Sequence, residues 1–319
     1  MTDPNGGGLF GTRVLVTGAR GFLGSHLCRA LVGAGADVAA VSRTAHSGEP
    51  TAVRWWQCEL EDFAQAEELV GQAQPDVIFH LGGRVSAAPD PSLVLPTFHS
   101  LLTTSVNLLT LAARRACRRV VFVGSLEEPY GAAAEDATPA SPYGAAKWAA
   151  GAYGRMFHGL YGCSVVNVRP FMTYGPAQAC DKIIPSTILS LLRHEEPRLS
   201  GGRRPLDWVY VDDVIDGVLR AATAHRAEGR TIDLGSGTAV PVRDIVERLV
   251  RLIDPSITPR FGALPDRPGG DVRVASLDRA DAVLGWRPTT PLETGLSRTI
   301  EWYRMRHAEC ARERRSAHS

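Results

Sequence analysis

Thr17-Gly18-Ala19-Arg20-Gly21-Phe22-Leu23-Gly24 joins a β-branched run, Arg13-Val14-Leu15-Val16-Thr17, to a helical stretch from Phe22 to Gly33. Glycines at this spacing let a chain turn tightly and approach a pyrophosphate. The free amides and positive dipole end of the following helix then favour that anion. Gly18, Arg20, Gly21, Phe22, Leu23 and Gly24 are therefore candidate dinucleotide-binding residues. Outward from this turn the chain alternates short apolar runs with helical stretches. Asp37 to Ser42 and Val53 to Gln57 read as strands, Phe63 to Ala73 as a helix, and Asp76 to Leu81 as a strand. A long helix is predicted from Ser92 to Cys117, then a strand at Arg119 to Gly124, a helix from Tyr143 to Tyr161, and a strand from Ser164 to Val168 ending at Arg169-Pro170. Strands hidden on both faces lose the alternation of apolar and polar residues. A β-α-β order of such strands implies an α/β chain with a doubly wound parallel sheet.

Beyond Met172 the regularity weakens around Pro176, Pro185, Pro197 and Pro205, as in loop-rich, site-forming structure. Elements recur at Val209 to Ala222, Thr231 to Leu234 and Val242 to Ile253, and a last helix is predicted from Leu292 to Arg306. The expected division is a dinucleotide-binding domain over 1–171 and a smaller lobe over 172–319, with sheet and helix segments returning to the core.

The second strand ends in Ser42-Arg43. An acidic residue there would accept the adenosine ribose hydroxyls and favour NAD(H). A serine and an arginine suit a 2′-phosphate instead, so the expected cofactor is NADP(H), with NAD(H) as the alternative.

The 35 basic residues include only two lysines, Lys147 and Lys182. Arginine has replaced lysine wherever a generic positive charge suffices, so a retained lysine marks a place where a guanidinium fails. Lys147 stands four positions after Tyr143 and shares its helix face. A tyrosine hydroxyl titrates near ~10, and a neighbouring ammonium is expected to lower that value towards general acid–base use.

The bulk numbers narrow the field. At 319 residues and 44% hydrophobic composition the chain buries a full core, and a formal charge of +1 provides no field for nucleic acid or a membrane surface. With no long apolar run and no leader pattern at Met1 to Gly8, a cytoplasmic location is expected. Cys28, Cys58, Cys117, Cys163, Cys180 and Cys310 form no C-x-x-C pair and the histidines no metal motif, so neither a disulfide frame nor a metal site is expected. The arginine-rich tail from Arg304 reads as a fraying helix end.

With T-G-x-x-G-x-x-G at Thr17, His80-Leu81-Gly82-Gly83 and Tyr143-x-x-x-Lys147, the chain resembles the extended short-chain dehydrogenase/reductases, in their nucleotide-sugar epimerase and dehydratase branch. Arg169-Pro170-Phe171, Asp207-Trp208-Val209-Tyr210-Val211-Asp212-Asp213, Arg267-Pro268-Gly269-Gly270-Asp271 and Leu284-Gly285-Trp286-Arg287-Pro288 extend the likeness to nearly the whole chain. The resemblance implies a Rossmann-type sheet with a smaller C-terminal substrate-binding lobe, and Glu59, Leu60, Leu81, Gly82, Gly83 and Pro170 as further cofactor contacts. It implies that Tyr143 passes a proton to or from a sugar hydroxyl, that Lys147 lowers the tyrosine's pKa, and that Ser125 bonds the same oxygen. Glu127 and Glu128 fall where family dehydratases carry acid and base carboxylates. By family analogy, the long helices at Ser92 to Cys117 and Tyr143 to Tyr161 form a homodimer interface.

Several positions depart from the family pattern. Leu126 stands where many relatives have a hydroxyl residue, so Ser125 serves only if the strand end shifts by one residue. Met172 and Leu101 each replace a common asparagine, and Leu206 replaces an arginine, leaving Arg203 or Arg204 with Arg267 to clamp a substrate diphosphate. The expected activity is redox chemistry at C4 of a nucleoside-diphosphate sugar, as a 4-epimerase or a 4-ketoreductase. The alternatives are a 4,6-dehydratase using Glu127 and Glu128, a ketoreductase of a non-sugar natural product, and a non-catalytic cofactor-sensing protein.

Overall fold

A computed structural model describes residues 8–45, 52–129, 137–266 and 272–316. In chain order its first elements are β1 (Arg13–Thr17), α1 (Phe22–Gly33), β2 (Asp37–Ser42), β3 (Val53–Gln57), α2 (Phe63–Ala73) and β4 (Val77–His80). A 3-10 turn (Pro91–Leu93), α3 (Val94–Thr97), a π-helical segment (Phe98–Thr103) and α4 (Thr104–Arg114) follow. Next come β5 (Arg119–Val123), α5 (Pro142–Tyr161), β6 (Val165–Pro170), β7 (Met172–Tyr174), α6 (Ile183–Leu192), β8 (Arg198–Leu199), β9 (Pro205–Tyr210) and α7 (Val211–Thr223). The last are β10 (Thr231–Leu234), β11 (Ala239–Pro241), α8 (Val242–Ile253), β12 (Arg260–Phe261), α9 (Leu277–Leu284) and α10 (Leu292–Ser316).

The chain divides into two compact units, one of 1–170, 215–234 and 278–286, the other of 171–214, 235–277 and 287–319. The first unit holds a seven-stranded sheet in the order β10-β6-β5-β4-β1-β2-β3 among the described residues. Every pairing in it is parallel, so all seven C-terminal ends share one edge. The order reverses between β1 and β4, which opens a crevice at that edge. Val14, Leu15 and Val16 of β1 and Val77, Ile78 and Phe79 of β4 are buried, as strands covered on both faces must be.

The helices carry their own punctuation. Asp62 caps α2 by accepting from the amides of Ala64 and Gln65. Ser141 caps α5 by accepting from the amide of Gly144, Pro142 opens the first turn, and Gly162 closes the helix at φ +68°. The helix predicted over Ser92 to Cys117 is interrupted. Pro96 supplies no amide to the helical ladder, and the chain widens into a π segment after it. Hydroxyls satisfy the carbonyls of that wide turn: Thr104 Oγ1 donates to Ser100 O at 2.9 Å and Ser105 Oγ to Leu101 O at 2.6 Å. The run ends at Arg114, and Ala116 at φ +51° turns the chain towards β5.

The second unit has a three-stranded sheet, β11-β9-β7, and a two-stranded one, β12-β8. Its Asp207 is buried and accepts from Ser236 N and Oγ, Gly237 N and Ala275 N, tying two segments to β9. Helix α6, with Pro185 in its first turn, and helix α9 form where the sequence predicts no element, and α10 runs to Ser316 rather than ending near Arg306. Arg267 and its neighbours through Asp271 lie outside the described residues. Among the described residues, no helix is long and apolar enough to cross a membrane.

Candidate active site

Gly18 follows β1 at φ +69°, and a Cβ there would meet Gly82 N at 2.8 Å. The turns after β1 and β4 thus touch backbone to backbone, which only glycine permits. A Cβ on Gly24 would strike the Gly18 carbonyl, so the first turn of α1 lies directly on the loop. Gly21 is the N-terminal cap residue and offers no side chain to the first-turn amides. This glycine cradle with its uncapped amides fits a dinucleotide pyrophosphate.

The other cofactor candidates fall along the same edge. Ser42 ends β2, Glu59 and Leu60 follow β3, Leu81 and Gly82 follow β4 with Gly83 after them, and Pro170 ends β6. Arg43 is exposed just past β2, and Arg20 Nη1 donates to Thr44 Oγ1 at 2.8 Å, so two guanidinium groups flank the end of β2.

Beneath the cradle runs a buried polar chain that the sequence did not announce. Gly82 N donates to Thr17 Oγ1 at 3.1 Å; Thr17 Oγ1 lies 2.7 Å from His80 Nδ1, and His80 Nε2 lies 3.1 Å from Ser105 Oγ. Because Ser105 donates onward to Leu101 O, it accepts from His80 Nε2–H, and His80 Nδ1 accepts from Thr17. Burial, with the Lys147 charge nearby, pushes the imidazole down to about 3, so it stays neutral. His80 thereby fixes the glycine loop after β4 to the first turn of α4, and through Ser105 to the π segment. A lone histidine inside an otherwise apolar strand was the available signal.

Tyr143 and Lys147 lie on the first turns of α5, both buried. Lys147 Nζ donates to Val123 O at 2.7 Å, reaching the end of β5. Burial pulls its pKa down to about 8, against the raising charge of Glu128. The Ser125 hydroxyl bonds to Tyr143 and favours its phenolate. Contrary to the sequence expectation, the tyrosine's pKa is raised: burial dominates, the charges of Glu128 and Glu127 add to it, and Lys147 contributes no resolved lowering. Leu101, in the π segment, packs with Tyr143 and Ala146.

Ser125 therefore meets Tyr143 from a turn two residues past β5. Its Oγ accepts from Glu127 N at 3.2 Å. Glu127 is half-buried in that turn. Glu128 is 3% exposed, and its Oε1 accepts from Ser125 N at 2.6 Å. Of the expected substrate contacts, Met172 opens β7, and Arg203 and Arg204 precede β9, all in the second unit.

A glycine cradle at the switch point of a parallel sheet, with a Ser–Tyr–Lys group at the same edge, defines an extended short-chain dehydrogenase/reductase. The chain belongs to the NAD dependent epimerase/dehydratase family, whose match spans residues 14–235. It is 30% identical over 315 residues to the UDP-glucose 4-epimerase of Mycolicibacterium smegmatis, covering 92% of this chain and 98% of that relative. It is 29% identical over 325 residues to a probable dTDP-glucose 4,6-dehydratase of Sinorhizobium fredii, covering 91% and 92%. The crystal structure of Thermus thermophilus UDP-glucose 4-epimerase in complex with NAD matches at a TM-score of 0.79 and 25% identity, over 92% of this chain and 99% of that one. The relatives thus divide between epimerases and dehydratases, and the family and the Thermus thermophilus structure carry NAD, which lends the expected NADP(H) preference no support.

Proposed function

We propose that this enzyme performs redox chemistry at C4 of a nucleoside-diphosphate sugar, as a 4-epimerase or 4-ketoreductase, with NAD(H) as cofactor. The observation that carries the reading is the Ser125–Tyr143–Lys147 group at the C-terminal edge of the sheet beside the glycine cradle. The nicotinamide supplies hydride acceptance and return. As the sugar's C4–H bond breaks, the C4 hydroxyl proton passes to Tyr143 in its phenolate form, which the Ser125 hydrogen bond favours, and the electron pair of the O–H bond closes the C4 carbonyl; in the reductive direction the neutral phenol gives that proton back. Ser125 donates a hydrogen bond to the same oxygen and steadies its charge. Lys147, anchored on Val123 O, fixes the face of α5 that presents the tyrosine. Epimerisation returns hydride and proton to the opposite face of the turned 4-keto sugar; reduction begins from the ketone and consumes the cofactor. Gly18, Arg20, Gly21, Phe22, Leu23, Gly24, Glu59, Leu60, Leu81, Gly82, Gly83 and Pro170 would hold the dinucleotide. Met172, Arg203, Arg204 and Arg267, the last outside the described residues, are the proposed nucleotide-sugar contacts.

Two observations favour second readings. The guanidinium groups of Arg20 and Arg43 at the end of β2 suit a 2′-phosphate, hence NADP(H) and reduction. The likeness to a dehydratase, with Glu127 half-buried beside the tyrosine, suits 4,6-dehydration. Mass spectrometry of the released cofactor, with product analysis on UDP-, GDP-, CDP- and dTDP-sugars, separates them. Tyr143→Phe is expected to cost ~10²–10⁴ in turnover. Full activity in that variant would end the enzymatic reading of this site. A homodimer through the Ser92 to Cys117 run and α5 is also proposed, since Val94, Leu95 and Phe98, and Tyr153, Leu160 and Tyr161, leave large apolar surface exposed. A monomeric mass by light scattering at micromolar concentration would reject it.

A further inference from the structure

The turn Ser125-Leu126-Glu127-Glu128 is closed from both ends. Glu128 N donates to Ser125 O at 3.1 Å, and Glu128 Oε1 accepts from Ser125 N at 2.6 Å, so the two residues bond reciprocally. The carboxylate lies against Gly124, where any Cβ would strike it, and towards Gly151 of α5. Asn167 is the polar neighbour of both glycines. The charged groups around Glu128 are Lys147 and Arg155 on α5 and Arg169 on β6, and Arg169 is itself paired with Asp233 on β10 at 2.7 Å. Two glycines and three cations thus make room for one buried carboxylate, while residue 126 is a leucine without a hydroxyl.

We propose that Glu128 is a positioning residue: its carboxylate grips the Ser125 amide and sets the turn so that the Ser125 hydroxyl, rather than one from position 126, meets Tyr143. The hydroxyl geometry agrees. With Glu127 N donating into Ser125 Oγ, the serine's own proton is left to donate to the tyrosine or to a substrate oxygen. One oxygen of this buried carboxylate is committed to a backbone amide, and the group lies against Gly124 and towards Gly151 among three cations, which suits anchoring a turn.

This inference rests on the proposed role of Tyr143 and Ser125, and the test separates the two. Glu128→Gln, Glu128→Ala, Ser125→Ala and the double variant Ser125→Ala/Glu128→Ala are compared for kcat and KM with the nucleotide sugar the enzyme turns over. Hydrogen exchange of the Ser125 amide is measured alongside. Ser125→Ala should lose ~10²-fold in kcat, the scale of one lost oxyanion donor. Glu128→Ala should match it with KM little changed, and the double variant should be no worse than either. Glu128→Gln keeps an acceptor in the same place and should lose less than ~5-fold, with the Ser125 amide still protected. A Glu128→Gln variant as inactive as Glu128→Ala would overturn the proposal in favour of acid–base use. So would an unimpaired Glu128→Ala when Ser125→Ala is inactive. Should Glu128→Ala fail to fold, the glutamine variant alone decides between positioning and proton transfer. Activity surviving in Tyr143→Phe would instead sink the underlying site reading.

Discussion

Replacing Lys147 by methionine should stabilise the protein at neutral pH while removing its activity, and the gain should disappear in alkali. The ammonium is buried, and its pKa falls from 10.5 to about 8. At ~1.4 kcal/mol per unit, holding the charge inside the folded chain costs about 3 kcal/mol near pH 7. The folded pKa lies below the unfolded one, so the unfolded chain binds more protons between pH 8 and 10.5. Stability therefore climbs with pH across that window. Methionine fills similar volume without charge but leaves Val123 O without its donor, a loss of ~1–3 kcal/mol. The variant should gain ~1 kcal/mol at pH 7 and fall below the parent at pH 10, a swing of about 2.5 kcal/mol between the two. Urea unfolding of both proteins at pH 7, 8, 9 and 10 measures it, with turnover of the variant expected down by ~10² or more. A stability difference that stays constant across that range would refute the account of Lys147 as a buried, strained cation. Lys147→Arg tests the composition argument, because a guanidinium cannot shed its charge to relieve the burial.

His80 should limit stability in acid. Its folded pKa of about 3 lies below the ordinary 6.5, so stability falls as pH drops between them, and His80→Gln should erase ~3 kcal/mol of the loss between pH 7 and pH 4. Identical acid profiles by circular dichroism would contradict this. Gly24→Ala should cost ~1–3 kcal/mol and weaken dinucleotide retention, because its Cβ meets the Gly18 carbonyl; an unchanged cofactor content on purification would rule out the cradle. Arg43→Ala should weaken NADP(H) binding ~10-fold with little change for NAD(H) if Arg43 reads a 2′-phosphate, and equal effects in fluorescence titration would dismiss that role.

Residues whose neighbours are close in the chain were readable in advance. The ranges of α1, β3, α2, β10 and α8 follow from apolar periodicity bounded by Asp62, glycines and prolines, and Tyr143 with Lys147 follows from one helical turn. What escaped depends on partners that only folding brings together. The partner of Lys147 is the carbonyl of Val123, and a carbonyl has no side-chain signature. The π segment arises where Pro96 meets hydroxyls at 104 and 105 that bond backwards, a local competition that helical periodicity does not register.

Ser125 is the instructive case. Counting along the strand puts leucine at the expected hydroxyl position, and the chain then looks deficient. The compensation lies three residues on, in a glutamate whose type suggests acid–base chemistry but whose burial gives it another use. Three cations and two glycines surround that carboxylate, a costly arrangement for a solvated loop acid and an economical one for fixing a turn. On the proposed reading of Glu128, where a carboxylate points bears on the choice between dehydration and epimerisation more than its presence does. The same two letters in a relative whose position 126 carries a hydroxyl would therefore support a different reaction.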